Sequence, residues 1–167
     1  MSDPRMTNFL GLSQALTGIA TSVLAPGLDT INLKTTYLQT LDQQLGQPAT
    51  DSLLQLYANL KSQGKTDAEI AQVILTPEPP ATPQQAGQAG SLMKMWLLGS
   101  WYPPTPPGQP PNLAGTVISV NAYTGSFAWT LAQAHPMGYS ELAFGYWSSA
   151  PPPLPSGIPA SPQGGNS

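Results

Sequence analysis

Proline and glycine set the longest regular element this chain can build. Twenty prolines and sixteen glycines are spread through 167 residues. Proline removes a backbone donor and clashes with the preceding helical turn, and glycine favours helix ends. The uninterrupted runs between them are short. No run approaches the roughly 20 apolar residues that a transmembrane helix demands.

Within those limits the apolar spacing is helical. Phe9, Leu12, Leu16 and Ile19 predict a first helix over 8–17, with Thr7 as its cap and Gly18 as its stop. After a loop at Pro26-Gly27, Asp29 or Thr30 is expected to cap a second helix reaching Leu45, with Ile31, Tyr37, Leu38, Leu41 and Leu45 on its apolar face and Gly46 at its end. A third helix is expected from Ala49 to Gln63, where Leu53, Leu56, Tyr57 and Leu60 form a stripe that closes at Gly64. Thr66 followed three residues later by Glu69 is a capping-box pattern, and it opens a short fourth helix that ends before Pro77. The Pro-rich stretch 76–83 leads to Pro83 as the first residue of a fifth helix running to Leu98. A loop at 103–111 follows, too poor in donors for a helix or a central strand. Ser119 is placed to cap a sixth helix over 120–133, weakened by Gly125, although Val117-Ile118-Ser119-Val120 also suits a short strand. The expected fold is all-α, a compact bundle of five or six short helices with Pro-rich loops. The helical domain spans 1–147, and the uncharged tail 148–167, with its six prolines, is expected to be extended or disordered.

Charge narrows the function. Only 8% of residues are charged, against about 25% in a usual soluble domain. Five basic residues and a net charge of −3 provide no basic stripe for displacing counterions from DNA or RNA, so a nucleic-acid partner is excluded. The absence of cysteine removes disulfides, thiol catalysis and Cys-based metal sites. After Lys94 the only charged side chain is Glu141, yet 10 of the 13 aromatic residues lie between Trp96 and Trp147. Aromatic-rich, charge-poor surface is characteristic of the centre of a protein interface. The same rings could instead form the domain's own core, and spacing alone does not separate the two readings.

Catalytic patterns are missing. His135 is the single histidine, and no G-x-S-x-G elbow accompanies it. His135 and Met137 are too close in sequence to clasp one haem from opposite sides, and no C-x-x-C-H site exists. Asp67 and Glu69 are explained by the capping box, and the scattered acids form no ligand cluster. Neither G-x-G-x-x-G nor a P-loop occurs. The chain is therefore read as having no catalytic, cofactor-binding or metal site.

What remains are Gly- and Pro-bounded aromatic segments, which present rigid rings as interface anchors do. The candidate interface residues are Trp96, Trp101, Tyr102, Tyr123, Trp129, His135, Pro136, Met137, Phe144, Tyr146 and Trp147. Several of them lie in an ordered series: Phe9-Leu10-Gly11-Leu12-Ser13-Gln14-Ala15-Leu16-Thr17-Gly18, Met95-Trp96-Leu97-Leu98-Gly99-Ser100-Trp101-Tyr102, Val117-Ile118-Ser119 before Ala122-Tyr123, Trp129, Ala134-His135-Pro136-Met137-Gly138, and Phe144-Gly145-Tyr146-Trp147. In that order the chain resembles the small (gamma-type) subunits of bacterial membrane-associated FAD-dependent sorbitol, fructose and glucose dehydrogenases.

The resemblance implies a chain without a cofactor of its own. It would bind, stabilise and help mature a large glucose–methanol–choline-type flavoprotein that holds FAD and oxidises a sugar or polyol. A multihaem cytochrome c subunit is a further partner that the resemblance implies, and the usual site of such complexes is the periplasmic face of the inner membrane. This chain departs from the family in lacking a twin-Arg leader, so it is expected to carry no export signal, and a cytoplasmic location follows if the partner also lacks one. The loop at 103–111 and the long tail are also atypical. The alternative reading is a stand-alone helical adaptor whose Pro151-Pro152-Pro153-Leu154-Pro155 segment is a polyproline ligand.

Overall fold

The computed structural model describes residues 3–76, 79–105, 108–110, 112–138, 156 and 158. Among these, the chain forms helices α1 (Pro4–Thr17), α2 (Thr21–Leu24), α3 (Leu33–Leu45), α4 (Gln47–Ser62), α5 (Asp67–Leu75) and α6 (Pro83–Leu98). A two-stranded ribbon, β1 (Ser100–Trp101) and β2 (Thr116–Val117), and helices α7 (Val120–Thr124) and α8 (Phe127–Leu131) follow. The fold is all-α, as the spacing predicts.

Local chemistry explains where the boundaries differ from expectation. Helix α1 starts at Pro4, because Asp3 is the N-cap and its carboxylate accepts from the Arg5 N–H at 2.9 Å, while Thr7 lies inside the first turn. Helix α3 starts late. Asp29 accepts from the Asn32 N–H at 2.6 Å and holds the loop, and Asn32 takes a left-handed conformation just before Leu33. Neither Asp29 nor Thr30 caps the helix. The Thr66–Glu69 capping box of α5 is present in both directions. A second one, Thr82 with Gln85, opens α6 behind Pro83. The expected sixth helix is divided: Ser119 caps α7 by accepting from the Ala122 N–H, the chain breaks at Gly125, and the extended Ser126 starts α8. Part of the alternative strand is also realised, with Val117 opposite Ser100 and Thr116 opposite Trp101 in an antiparallel ribbon.

Helix α1 is the central element and packs against α4, α5 and α6. Its Phe9, Leu12 and Leu16 meet Leu53 and Leu60 of α4, Ile70 and Ile74 of α5, and Leu92, Met95 and Trp96 of α6 in one continuous core. Burying each large aliphatic side chain contributes roughly 1.5–3 kcal/mol. Close approach of α1 to α4 requires Gly11, where an added Cβ would lie 2.1 Å from the Tyr57 hydroxyl. Arg5 ties three helices together by donating to Asp42 on α3 and Asp51 on α4. Asp67 does the same at the other end of α1, accepting from Gln14 Nε2 at 2.7 Å and from Lys61 Nζ at 3.0 Å. Of the tail, Ile158 is buried and belongs to the same core, whereas the sequence reading assigned the tail no packing role.

Candidate partner interface

The aromatic residues singled out in the sequence fall into three groups. The first is core. Trp96 is only 1% exposed. Its Nε1 donates to Ser13 Oγ at 2.9 Å, and that hydroxyl donates to the Phe9 carbonyl at 2.8 Å. Tyr37 meets the Trp96 ring edge-on at 4.7 Å, and Phe9 and Phe127 flank it at 6.2 Å. Trp101 is also buried, in β1. These two rings therefore organise the interior and are almost wholly withdrawn from the surface. A tryptophan this well buried needs an acceptor for its N–H, and the Ser13 hydroxyl supplies one.

The second group is half-buried and fixed. Tyr102 is clamped between Lys94, whose ammonium lies 5.3 Å from the ring centroid, and Gly115, where a Cβ would come within 2.3 Å of the ring. Tyr123 and Trp129 stack edge-to-face at 5.4 Å, and Trp129 Nε1 donates to the Tyr123 carbonyl at 2.9 Å. His135 and Pro136 are likewise half-buried. The third group is open: Met137 is 81% exposed. Phe144, Tyr146 and Trp147 lie outside the described residues.

The apolar surface that the structure does expose is largely aliphatic, and sequence reasoning did not select it. Leu28 (93% exposed), Ile31 and Leu75 are open in the N-terminal half, and beyond it Leu113 (81%), Val117 (53%) and Val120 (59%) are open, with Leu98 and Leu131 partly so. Of these, Val117 in β2 and Val120 at the start of α7 lie beside the turn that follows α6. Gly99 takes a left-handed turn there, and a Cβ on it would sit 2.1 Å from the Ala122 carbonyl oxygen, so α7 is pressed directly onto the turn. The Ile118 N–H donates to the Gly99 carbonyl at 3.2 Å, which fixes β2 beside it. Among the described residues after Lys94 there is no Asp, Glu, Lys or Arg. A signal for this surface was present in the sequence: aliphatic residues in a stretch with no charge between Lys94 and Glu141.

The titratable groups lie elsewhere. Asp67 is held below the usual carboxylate range, chiefly by the Gln14 amide and then by Lys61. Glu69 is lowered by the Thr66 backbone and hydroxyl, which identifies it as a capping group. Burial pushes the Tyr37 phenol far above its ordinary value. Among the described residues no three acids or histidines gather as metal ligands, and no helix is long and apolar enough to cross a membrane. A shallow groove of about 230 Å³ is lined by Val23, Leu24, Asp29, Leu33, Trp96 and Phe127. Comparison with protein-family models, with curated proteins and with solved structures found no match.

Proposed function

We propose that this chain is a non-catalytic small subunit that binds, stabilises and helps mature a large FAD-dependent sugar or polyol dehydrogenase of the glucose–methanol–choline type. FAD belongs to the partner on this reading. A multihaem cytochrome c subunit is a further candidate member of the complex. The reading rests on the ordered sequence resemblance, and one structural observation carries it: the described charges stop at Lys94, and the uncharged layer beyond it exposes aliphatic side chains. Exposed apolar patches of this kind mark sites covered by another protein. A subunit that binds only the folded flavoprotein stabilises it by mass action.

The test is co-purification of the tagged full chain expressed together with its neighbouring genes. The expected result is a stoichiometric large subunit with a bound flavin spectrum, and a flavoprotein that loses flavin or precipitates when expressed without this chain. A folded, monomeric chain that leaves the expressed flavoprotein unbound would overturn the reading. Retained binding after deletion of residues 148–167 distinguishes it from the polyproline-adaptor alternative, which requires that segment.

A further inference from the structure

Ile158 brings the C-terminal tail back to the helices. It is 9% exposed and belongs to the continuous core, whereas Ser156, two residues before it, is open. Ile158 lines a groove of about 530 Å³ at the seam between the C-terminal end of α1 and the start of α5. Ala15, Gly18, Ala20 and Ala68 line the same groove. Side chains this small leave room for an aliphatic group that comes from neither helix.

The polar part of the groove is already satisfied. Gln14 Oε1 accepts from the Thr21 N–H at 2.8 Å, and Gln14 Nε2 donates to Asp67 at 2.7 Å. The other Asp67 oxygen accepts from Lys61 Nζ at 3.0 Å. An isoleucine laid beside these groups takes no hydrogen-bond partner from them, so its burial strands no donor or acceptor.

Two opposed effects set how firmly Ile158 is held. Burying an isoleucine side chain favours the seated state by about tenfold to a hundredfold. Ile158 lies 20 residues beyond Gly138 in the sequence. Closing a loop of that length takes back a factor of the same order. The balance is a contact that closes without being locked. We propose that the C-terminal segment is a strap, latched across the α1–α5 seam by Ile158 and able to let go while the helices stay folded. The strap gives the tail a role within the chain itself and requires no flavoprotein.

The experiment uses the full chain throughout, so the Pro151–Pro155 segment stays in place. Methyl-labelled protein is expected to show nuclear Overhauser contacts from the Ile158 methyl to the methyls of Ala15, Ala20 or Ala68. Urea unfolding then compares three substitutions. Ile158→Ala is expected to raise the unfolding equilibrium constant by about tenfold, and Ile158→Val by less than about threefold. Ile158→Asp is the discriminating variant. A strap that lets go carries its carboxylate into water, so the cost cannot exceed that of losing the latch, and Ile158→Asp should match Ile158→Ala within about threefold. A residue locked in the core would bury that charge instead, and Ile158→Asp would then exceed Ile158→Ala by about a hundredfold or more.

That excess would overturn the strap and make Ile158 an ordinary core residue. Absence of the methyl contacts, or unchanged stability in both Ile158→Ala and Ile158→Asp, would overturn it by showing an empty seat. Contacts that arise only between differently labelled molecules in a mixed sample would place the Ile158 of a second copy in the groove, and that also overturns an internal strap.

Discussion

The hydrogen bond between Trp96 and Ser13 is the point where the core can be tested most sharply. Both side chains are buried, and the indole N–H has the Ser13 hydroxyl as its acceptor at 2.9 Å. Ser13→Ala deletes that acceptor and strands a donor in the interior, at a cost of about 1–3 kcal/mol. The second bond lost, from Ser13 to the Phe9 carbonyl, matters less because helix α1 still supplies that carbonyl with a backbone partner. Trp96→Phe removes the donor and part of the ring and leaves a void, for roughly 2–3 kcal/mol. Once Trp96→Phe is in place no N–H remains to be stranded, so the further cost of Ser13→Ala should fall below about 0.5 kcal/mol. The expected coupling, the difference between the two costs, is therefore about 0.5–3 kcal/mol. Urea unfolding followed by far-ultraviolet circular dichroism reads it, since tryptophan fluorescence would change with the substitution itself. Each kcal/mol should appear as a melting shift of about 2–4 °C for a chain of this size. Equal costs of Ser13→Ala with and without Trp96→Phe would refute the bond as a source of stability.

Two further substitutions probe polar groups at other positions. The Tyr37 hydroxyl is buried without a hydrogen-bond partner among the described residues, so Tyr37→Phe keeps the edge-on contact with Trp96 and should leave stability unchanged or raise it by up to about 1 kcal/mol in the same urea assay; a loss larger than that would show that the hydroxyl is satisfied. Asp67 has a lower pKa folded than unfolded, so its stabilisation is fully present above a pH of about 4 and disappears as pH falls through the folded value. Asp67→Asn should cost about 1 kcal/mol at neutral pH and flatten the acid limb of stability below pH ~4, and parallel acid limbs for the two proteins would refute the assignment.

Helices were legible wherever a periodic apolar stripe coincided with a breaker. The stripe of Leu53, Leu56, Tyr57 and Leu60 ended near Gly64, and Thr66–Glu69 announced α5, because caps are local chemistry that a sequence displays directly. Boundaries failed where two residues competed for one role. Asp3 won over Thr7 because Pro4 pre-sets the first helical turn, and Asp29 was diverted to the loop by Asn32 and Lys34. The interface residues were harder. Trp96 and Val120 both lie in uncharged surroundings, and one is core while the other is surface. What separates them is tertiary: α6 turns Trp96 toward Ser13 and Tyr37, whereas the turn at Gly99 leaves Val120 outside. Large rings suggested anchors, but size also suits a core, and the aliphatic positions that are exposed drew no notice.

The scarcity of charge has two consequences that belong together. Five of the charged groups serve as ties between helices: Arg5 with Asp42 and Asp51 joins α1 to α3 and α4, and Lys61 with Asp67 joins α4 to α5. Isolated surface pairs contribute about 0–1 kcal/mol each, so these ties set geometry more than they set stability. Beyond Lys94 the described residues carry no Asp, Glu, Lys or Arg, and there Val117 and Val120 face solvent. For a free chain that layer is an invitation to non-specific association, with a net charge of only −3 to oppose it. For a bound chain the same layer becomes an advantage, because no ion has to be stripped of water to close the contact. On the proposed reading, a partner present at about a hundredfold excess over its dissociation constant would add about 2.7 kcal/mol to the stability of the folded chain. On the same reading, an equal excess of this chain over the dissociation constant would stabilise the flavoprotein by the same amount, and that mutual stabilisation would need no catalytic residue on this side of the contact.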